Sequence, residues 1–137
     1  MTAGRGVSQN GRMPHETAPH WKDEPDAHDY PAASDYLSLV MSEQDATNLV
    51  DRLAKAAITH RKAKDILRAS DLALLGRDNK HVAADLAKVT HGDRLSPVLL
   101  IRGRSDPALP LIVADGYHRV CASYWIDENA EIPCKLV

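Results

Sequence analysis

Pro110 to Val137 reads PLIVADGYHRVCASYWIDENAEIPCKLV. Leu111-Ile112-Val113 is a short, fully apolar run ending in two β-branched residues, the composition of a buried strand. Val120 to Ile126 then returns apolar residues at helical spacing. The five residues between them, Asp115-Gly116-Tyr117-His118-Arg119, are therefore expected at a strand-to-helix turn. Gly116 permits a positive φ or a close backbone approach there, and it leaves the first N–H groups of the helix unobstructed. Those N–H groups and the helix dipole favour an anion. His118 and Arg119 add donors at the same end, and the planar fork of Arg119 suits two phosphate oxygens. Asp-Gly is also a turn signal in its own right, so composition leaves open both an anion site and a plain turn.

Gly116-Tyr117-His118-Arg119, followed by Ile132-Pro133-Cys134-Lys135-Leu136-Val137, resembles the ParB/sulfiredoxin superfamily. In that superfamily a strand, a Gly-x-x-Arg or Gly-Cys-His-Arg turn and a helix cradle nucleotide phosphates ahead of a last strand of the form Ile-Pro-x-x-Leu/Val. The likeness covers roughly Lys64 to Val137 and is locally nearest to the sulfiredoxin branch. It implies an α+β fold, a small mixed sheet with flanking helices, to which residues 29–60 add a helical extension. It further implies a nucleotide (ATP, ADP or CTP) held by Gly116, Tyr117, His118 and Arg119. Lys80 and His81, at the start of the preceding helix, are the nearest further basic candidates.

The sequence also departs from each branch. Tyr117 stands where sulfiredoxins place the catalytic cysteine, and Cys121, one helical turn on among Val120, Tyr124 and Trp125, reads as a core thiol. Reduction of a sulfinic acid is therefore not expected. ParB proteins carry Gly-Glu-Arg-Arg at the turn and continue into a helix-turn-helix domain. A third branch, which phosphorylates free serine, has an acid just before the glycine, as Asp115 is here. Asp115 is open to three readings: an Mg²⁺ ligand, a proton acceptor or a helix cap. The expected chemistry is nucleotide hydrolysis or phosphotransfer, or a ParB-like nuclease, with Asp115 and His118 as its catalytic residues.

The remaining sequence bounds the molecule. Its 137 residues suit one domain able to bury a core, 29–137, and a net charge of −2 gives no global basic footprint for nucleic acid. No apolar run is long enough to span a membrane. Two cysteines without C-x-x-C spacing, and no charged-then-apolar leader, point to a reducing cytoplasm without disulfides. Residues 1–28 are polar and read as a flexible tail, with Trp21 the one side chain equipped to dock on the folded body. His15, His20 and His28 within it read as composition rather than as metal ligands.

Pro31 is placed like the first residue of a helix carrying Tyr36, Leu37, Leu39 and Val40. Ser42 caps a second helix whose inward stripe is Ala46, Leu49, Val50, Leu53, Ala54 and Ala57, with Asp51 and Lys55 spaced to pair outside. Thr59 to Ser70 follows, anchored by Ile66 and Leu67. From Arg52 to Arg68 six basic residues (Arg52, Lys55, Arg61, Lys62, Lys64, Arg68) stand against the single acid Asp65. They are read as a solvated helix face or as a landing patch for phosphates, DNA included, with Arg61, Lys62, Lys64 and Arg68 as its contacts. Under that second reading the chain is a non-enzymatic DNA-associated or regulatory module. Asp78 or Asn79 caps a helix from Lys80 to Thr90 that Gly92 ends; Leu95 to Ile101 is a strand entered through Pro97; Gly103 to Pro107 is a polar hairpin.

Overall fold

The computed structural model of the protein describes residues 18–102 and 108–137. His15, the first 17 residues of the expected tail and the Gly103–Pro107 hairpin lie outside them. The described elements are β1 (His20–Trp21), α1 (Asp29–Leu37), α2 (Glu43–Lys55), β2 (Ile58–Lys62), α3 (Ala63–Ser70) and α4 (Lys80–Thr90). They continue with β3 (Arg94–Leu95), β4 (Val98–Ile101), β5 (Ile112–Asp115), α5 (Tyr117–Ile126) and β6 (Glu131–Leu136). The fold is α+β, and no described helix is long and apolar enough to cross a membrane.

β4 explains the layering. Its four residues Val-Leu-Leu-Ile are all buried, and because strand side chains alternate, such a run needs cover on both faces. Val98 and Leu100 join the core formed by Ala63, Ile66 and Leu67 of α3, Val82 of α4 and Val120 and Cys121 of α5. Leu99 and Ile101 join a second core with Ala33 and Leu37 of α1 and Ala46 and Leu53 of α2. Each fully buried Val, Leu or Ile contributes about 1.5–3 kcal/mol. The sheet between the layers is mixed, in the order β2-β6-β4-β5, with β6 parallel to β4 and the other neighbours antiparallel. The expected sheet of Val98–Ile101, Leu111–Ala114 and Ile132–Val137 is present, shifted by one residue at β5 and by one at β6.

Local readings hold where the signal is a cap. Ser42 accepts the Asp45 N–H, and Asn79, rather than Asp78, accepts those of His81 and Val82. Gly92 ends α4 with φ 79°. Elsewhere the structure corrects the sequence. Ile58–Lys62, expected within a helical stretch, is an edge strand paired to β6, so Arg61 and Lys62 sit on a strand. The inward stripe of α2 narrows to Ala46 and Leu53, with Leu49 and Val50 half-buried and Ala54 and Ala57 facing out. Asp51 and Lys55 are both exposed and, among the described residues, form no ion pair. Pro31 is the third residue of α1 rather than the first, and Leu39 and Val40 fall beyond its end in solvent. His20–Trp21 pairs in parallel with β3, and Trp21 packs on the core of α3–α5. This part of the expected tail is built into the fold.

Lys135 is the buried cation of the α1–α2 side, 3% exposed on the central strand β6. Its Nζ donates to the Ala54 carbonyl at 2.9 Å, lies 3.1 Å from Glu24 Oε1 and sits 5.8 Å from the Tyr30 ring. Burial works against its charge, but hydrogen bonds to Glu24 and Tyr30 more than offset this and raise its pKa. Lys135→Ala strips the stem from the core and leaves the Ala54 carbonyl without its partner, so urea unfolding should register a loss of about 2–4 kcal/mol. Lys135→Met keeps the stem and should lose less. Equal losses for the two variants would mean that packing of the stem contributes nothing.

Candidate functional site

β5 delivers the chain to the turn and Gly116 reverses it, at φ 109°, into α5. A glycine is required for two reasons. That φ is strained for any L side chain, and a Cβ at Gly116 would stand 2.4 Å from Val98 Cγ1. The Cβ direction is into the core rather than toward solvent, so the residue is fixed by packing on β4. Gly116 offers no side-chain cap, in contrast to Asn79 at the head of α4. The first hydrogen bond of α5 runs from Val120 N to Gly116 O, so the N–H groups of the residues before Val120 belong to the free first turn.

Arg119 turns inward. Its side chain is 16% exposed, with Nη2 2.8 Å from Asp115 Oδ2, 3.8 Å from Asp29 Oδ2 and 3.4 Å from the Pro97 carbonyl. Its Nε is buried without a hydrogen-bond partner. Asp29, on α1 and 2% exposed, also accepts the Asp26 N–H at 3.1 Å. Burial raises the pKa of Asp115; the charge and hydrogen bond of Arg119 oppose the rise, and the neighbouring Asp29 carboxylate adds to it. Arg119 is therefore first an internal counter-ion joining α1, β5 and α5, and its fork is not free in the manner the sequence suggested.

Histidines assemble at the surface of the same turn. The His118 ring lies 4.7 Å from that of His81 on α4 and 5.6 Å from that of Tyr117. The starts of α4 and α5 thus converge with one imidazole each. Burial lowers the pKa of His118, His81 and Arg119 lower it further, and Asp85 opposes them. Asp85, half-buried on α4, is itself raised by burial against the pull of Lys88, Arg119, His118 and His81.

Of the residues expected here, Asp115, Gly116, His118, Arg119 and His81 come together. Tyr117 is committed elsewhere: its hydroxyl donates to the Ala73 carbonyl. Trp125 Nε1 likewise donates to Leu75 O at 2.8 Å, and Arg77 donates to the Trp125 carbonyl at 3.1 Å, so the 71–79 loop is strapped to α5. Lys80 is exposed at the head of α4 and, among the described residues, forms no side-chain hydrogen bond or ion pair with the turn. Arg61, Lys62 and Arg68 are exposed and Lys64 half-buried on β2 and α3, elements separate from the turn. Cys121 is 0% exposed and its thiol pKa is raised by burial, as a core thiol requires.

One oxygen of Asp115 is held by Arg119 at 2.8 Å, so an Mg²⁺ ion at Asp115 would compete with a guanidinium for the carboxylate. Asp26, His28 and Asp29 bring ligand atoms within 4.8 Å of one another, but Lys22 already holds Asp26 at 2.7 Å. Asp29 and Asp85 are the residues that sequence reading missed. The available signal was an acid on an apolar stripe: Asp29, Ala33 and Leu37 share one face of α1, and Asp85 stands beside Val82 and Val89 on α4. Set against known families, curated proteins and solved structures, the chain matches none.

Two outcomes follow from this geometry. Gly116→Ala should lower stability by on the order of 2–4 kcal/mol through strain and overpacking, and Val98→Ala in the same chain should recover part of the loss in thermal melts. A Gly116→Ala variant as stable as the parent would contradict the close approach to Val98. In NMR titration His118 should protonate below the ordinary value of 6.5, so its stabilising contribution is whole above pH 6.5 and declines as pH falls through the lowered pKa. His81→Ala should move the midpoint up.

Proposed function

We propose that the protein binds the phosphates of a nucleoside di- or triphosphate at the turn Gly116–Arg119, with His118 and His81 as side-chain donors. The observation that carries this reading is the uncapped start of α5, whose free N–H groups open beside two juxtaposed imidazoles. A neutral imidazole donates one hydrogen bond to a phosphate oxygen without needing a counter-charge, and the lowered pKa keeps His118 in that form near neutral pH. Arg119 contributes from beneath, as the cation that keeps Asp29 and Asp115 from opposing an anion. The order of elements from α4 to β6 is the one that the resemblance to the ParB/sulfiredoxin superfamily implies, and it supports the same reading. ATP, ADP and CTP are the candidate ligands, and Mg²⁺ enters only as the nucleotide's own counter-ion. In hydrolysis or phosphotransfer Asp115, made more basic by burial, would accept the proton of the attacking group, and His118 would hold the transferring phosphate.

A second reading, a DNA-associated module, draws on Arg61, Lys62 and Arg68, exposed along β2 and α3, with the half-buried Lys64 beside them; among the described residues, of the three exposed ones only Arg68 meets an acid, Asp65 at 3.4 Å. The two readings separate in one set of measurements. Under the first, ATP, ADP or CTP at 100 times its dissociation constant raises stability by about 2.7 kcal/mol in thermal shift. His118→Ala then weakens the affinity about tenfold, and Lys62→Ala leaves it unchanged. Under the second, duplex DNA binds with a steep salt dependence that Arg61→Ala and Lys62→Ala flatten. If no nucleotide shifts the melting temperature, the first reading falls.

A further inference from the structure

The far end of β5 carries a second feature. Leu111, just before β5, together with α3 and the ends of β4 and β6, lines a half-open cavity of about 280 Å³. Leu100 and Ile66, 1% and 2% exposed, belong to its lining along with Leu111 and Leu136. Leu109, also part of the lining, is 45% exposed, an apolar side chain left in water. Two arginines complete the wall, Arg61 from β2 and Arg102 from just past β4. Among the described residues neither forms an ion pair or a side-chain hydrogen bond. The acid of the lining, Asp65, is engaged by Arg68 at 3.4 Å.

A largely apolar pocket with two guanidinium groups in its wall, neither of them paired among the described residues, is a mixed chemistry that a ligand has to match. We propose that this cavity binds a small amphipathic carboxylate, with its apolar body against Leu100, Ile66, Leu111 and Leu136 and its anionic head between Arg61 and Arg102. One guanidinium fork can meet a planar carboxylate with a pair of parallel hydrogen bonds, and the second arginine of the wall adds positive charge beside it. Beyond Arg61, Asp65 and Arg102 the lining is apolar and offers no partners for the sugar oxygens of a nucleic acid. Size sets the class: 280 Å³ takes about ten non-hydrogen atoms at roughly the 30 Å³ that a water occupies, a chain of about eight carbons with its head group. The site is also distinct from the turn at Gly116. Leu111 and Gly116 stand at opposite ends of β5, roughly 16 Å apart at about 3.3 Å per residue, so the proposal does not depend on nucleotide binding.

Octanoate and octanol, titrated calorimetrically into the full chain, test it. Octanoate should bind with one site per chain. The double variant Arg61→Met/Arg102→Met should weaken octanoate at least tenfold while octanol, whose head is uncharged, binds parent and variant alike. Ala69→Phe, which fills the cavity from α3, should abolish binding of both, with thermal melts checking that each variant is folded. Binding of octanoate at several weak sites, equal affinity for parent and double variant, or binding unchanged by Ala69→Phe would each overturn the proposal.

Discussion

A guanidinium taken out of water has to find anions, and Arg119 finds two on different elements, Asp115 at the end of β5 and Asp29 at the start of α1. Removing Arg119 would leave two carboxylates buried side by side without a counter-charge, which is costlier than the pair itself is stabilising. The same group anchors the first turn of α5, so the conformation of the turn depends on a helix some ninety positions earlier in the chain. α1 and α2 are accordingly not an appendage. They cover Leu99 and Ile101 and they supply the carboxylate that holds the turn's arginine.

That dependence separates what the sequence reveals from what it hides. The buried run of β4, the glycine before α5 and the caps at Ser42 and Asn79 are local signals, each complete within a few residues, and each appears in the structure. β2 was hidden because its outer residues are His60, Arg61 and Lys62. Its partner β6 is far away in sequence, and a charged stretch flanked by helix formers carries the pattern of a solvated helix. Arg119 was misjudged for a related reason. A strand-turn-helix pattern announces that an arginine lies at the turn, but the carboxylate that draws it inward is on another element. The meeting of His81 with His118 likewise needed the packing of α4 on α5, although both residues could be named beforehand.

The 71–79 loop sets the separation of those histidines. Tyr117 and Trp125 hold it by its carbonyls, and Arg77 stacks 5.5 Å above the indole while bonding the helix backbone. Because α4 begins where this strap ends, the helix starts are held together without a ligand. The anion proposed to bind between them would then need little ordering of the backbone, and affinity would not be lost to its rearrangement.

The place of β6 in the sheet has a kinetic meaning as well. It lies between β2 and β4, yet it is made after both, and it brings Lys135 beside Ile58 across most of the described chain. Until it arrives, β2 has no neighbour in the sheet, and closing so long a loop slows assembly. During that interval an unpaired strand invites pairing with another chain, and positive side chains are a recognised guard against it. His60, Arg61 and Lys62 thus have a use that asks for no partner molecule: they keep β2 solitary while it waits.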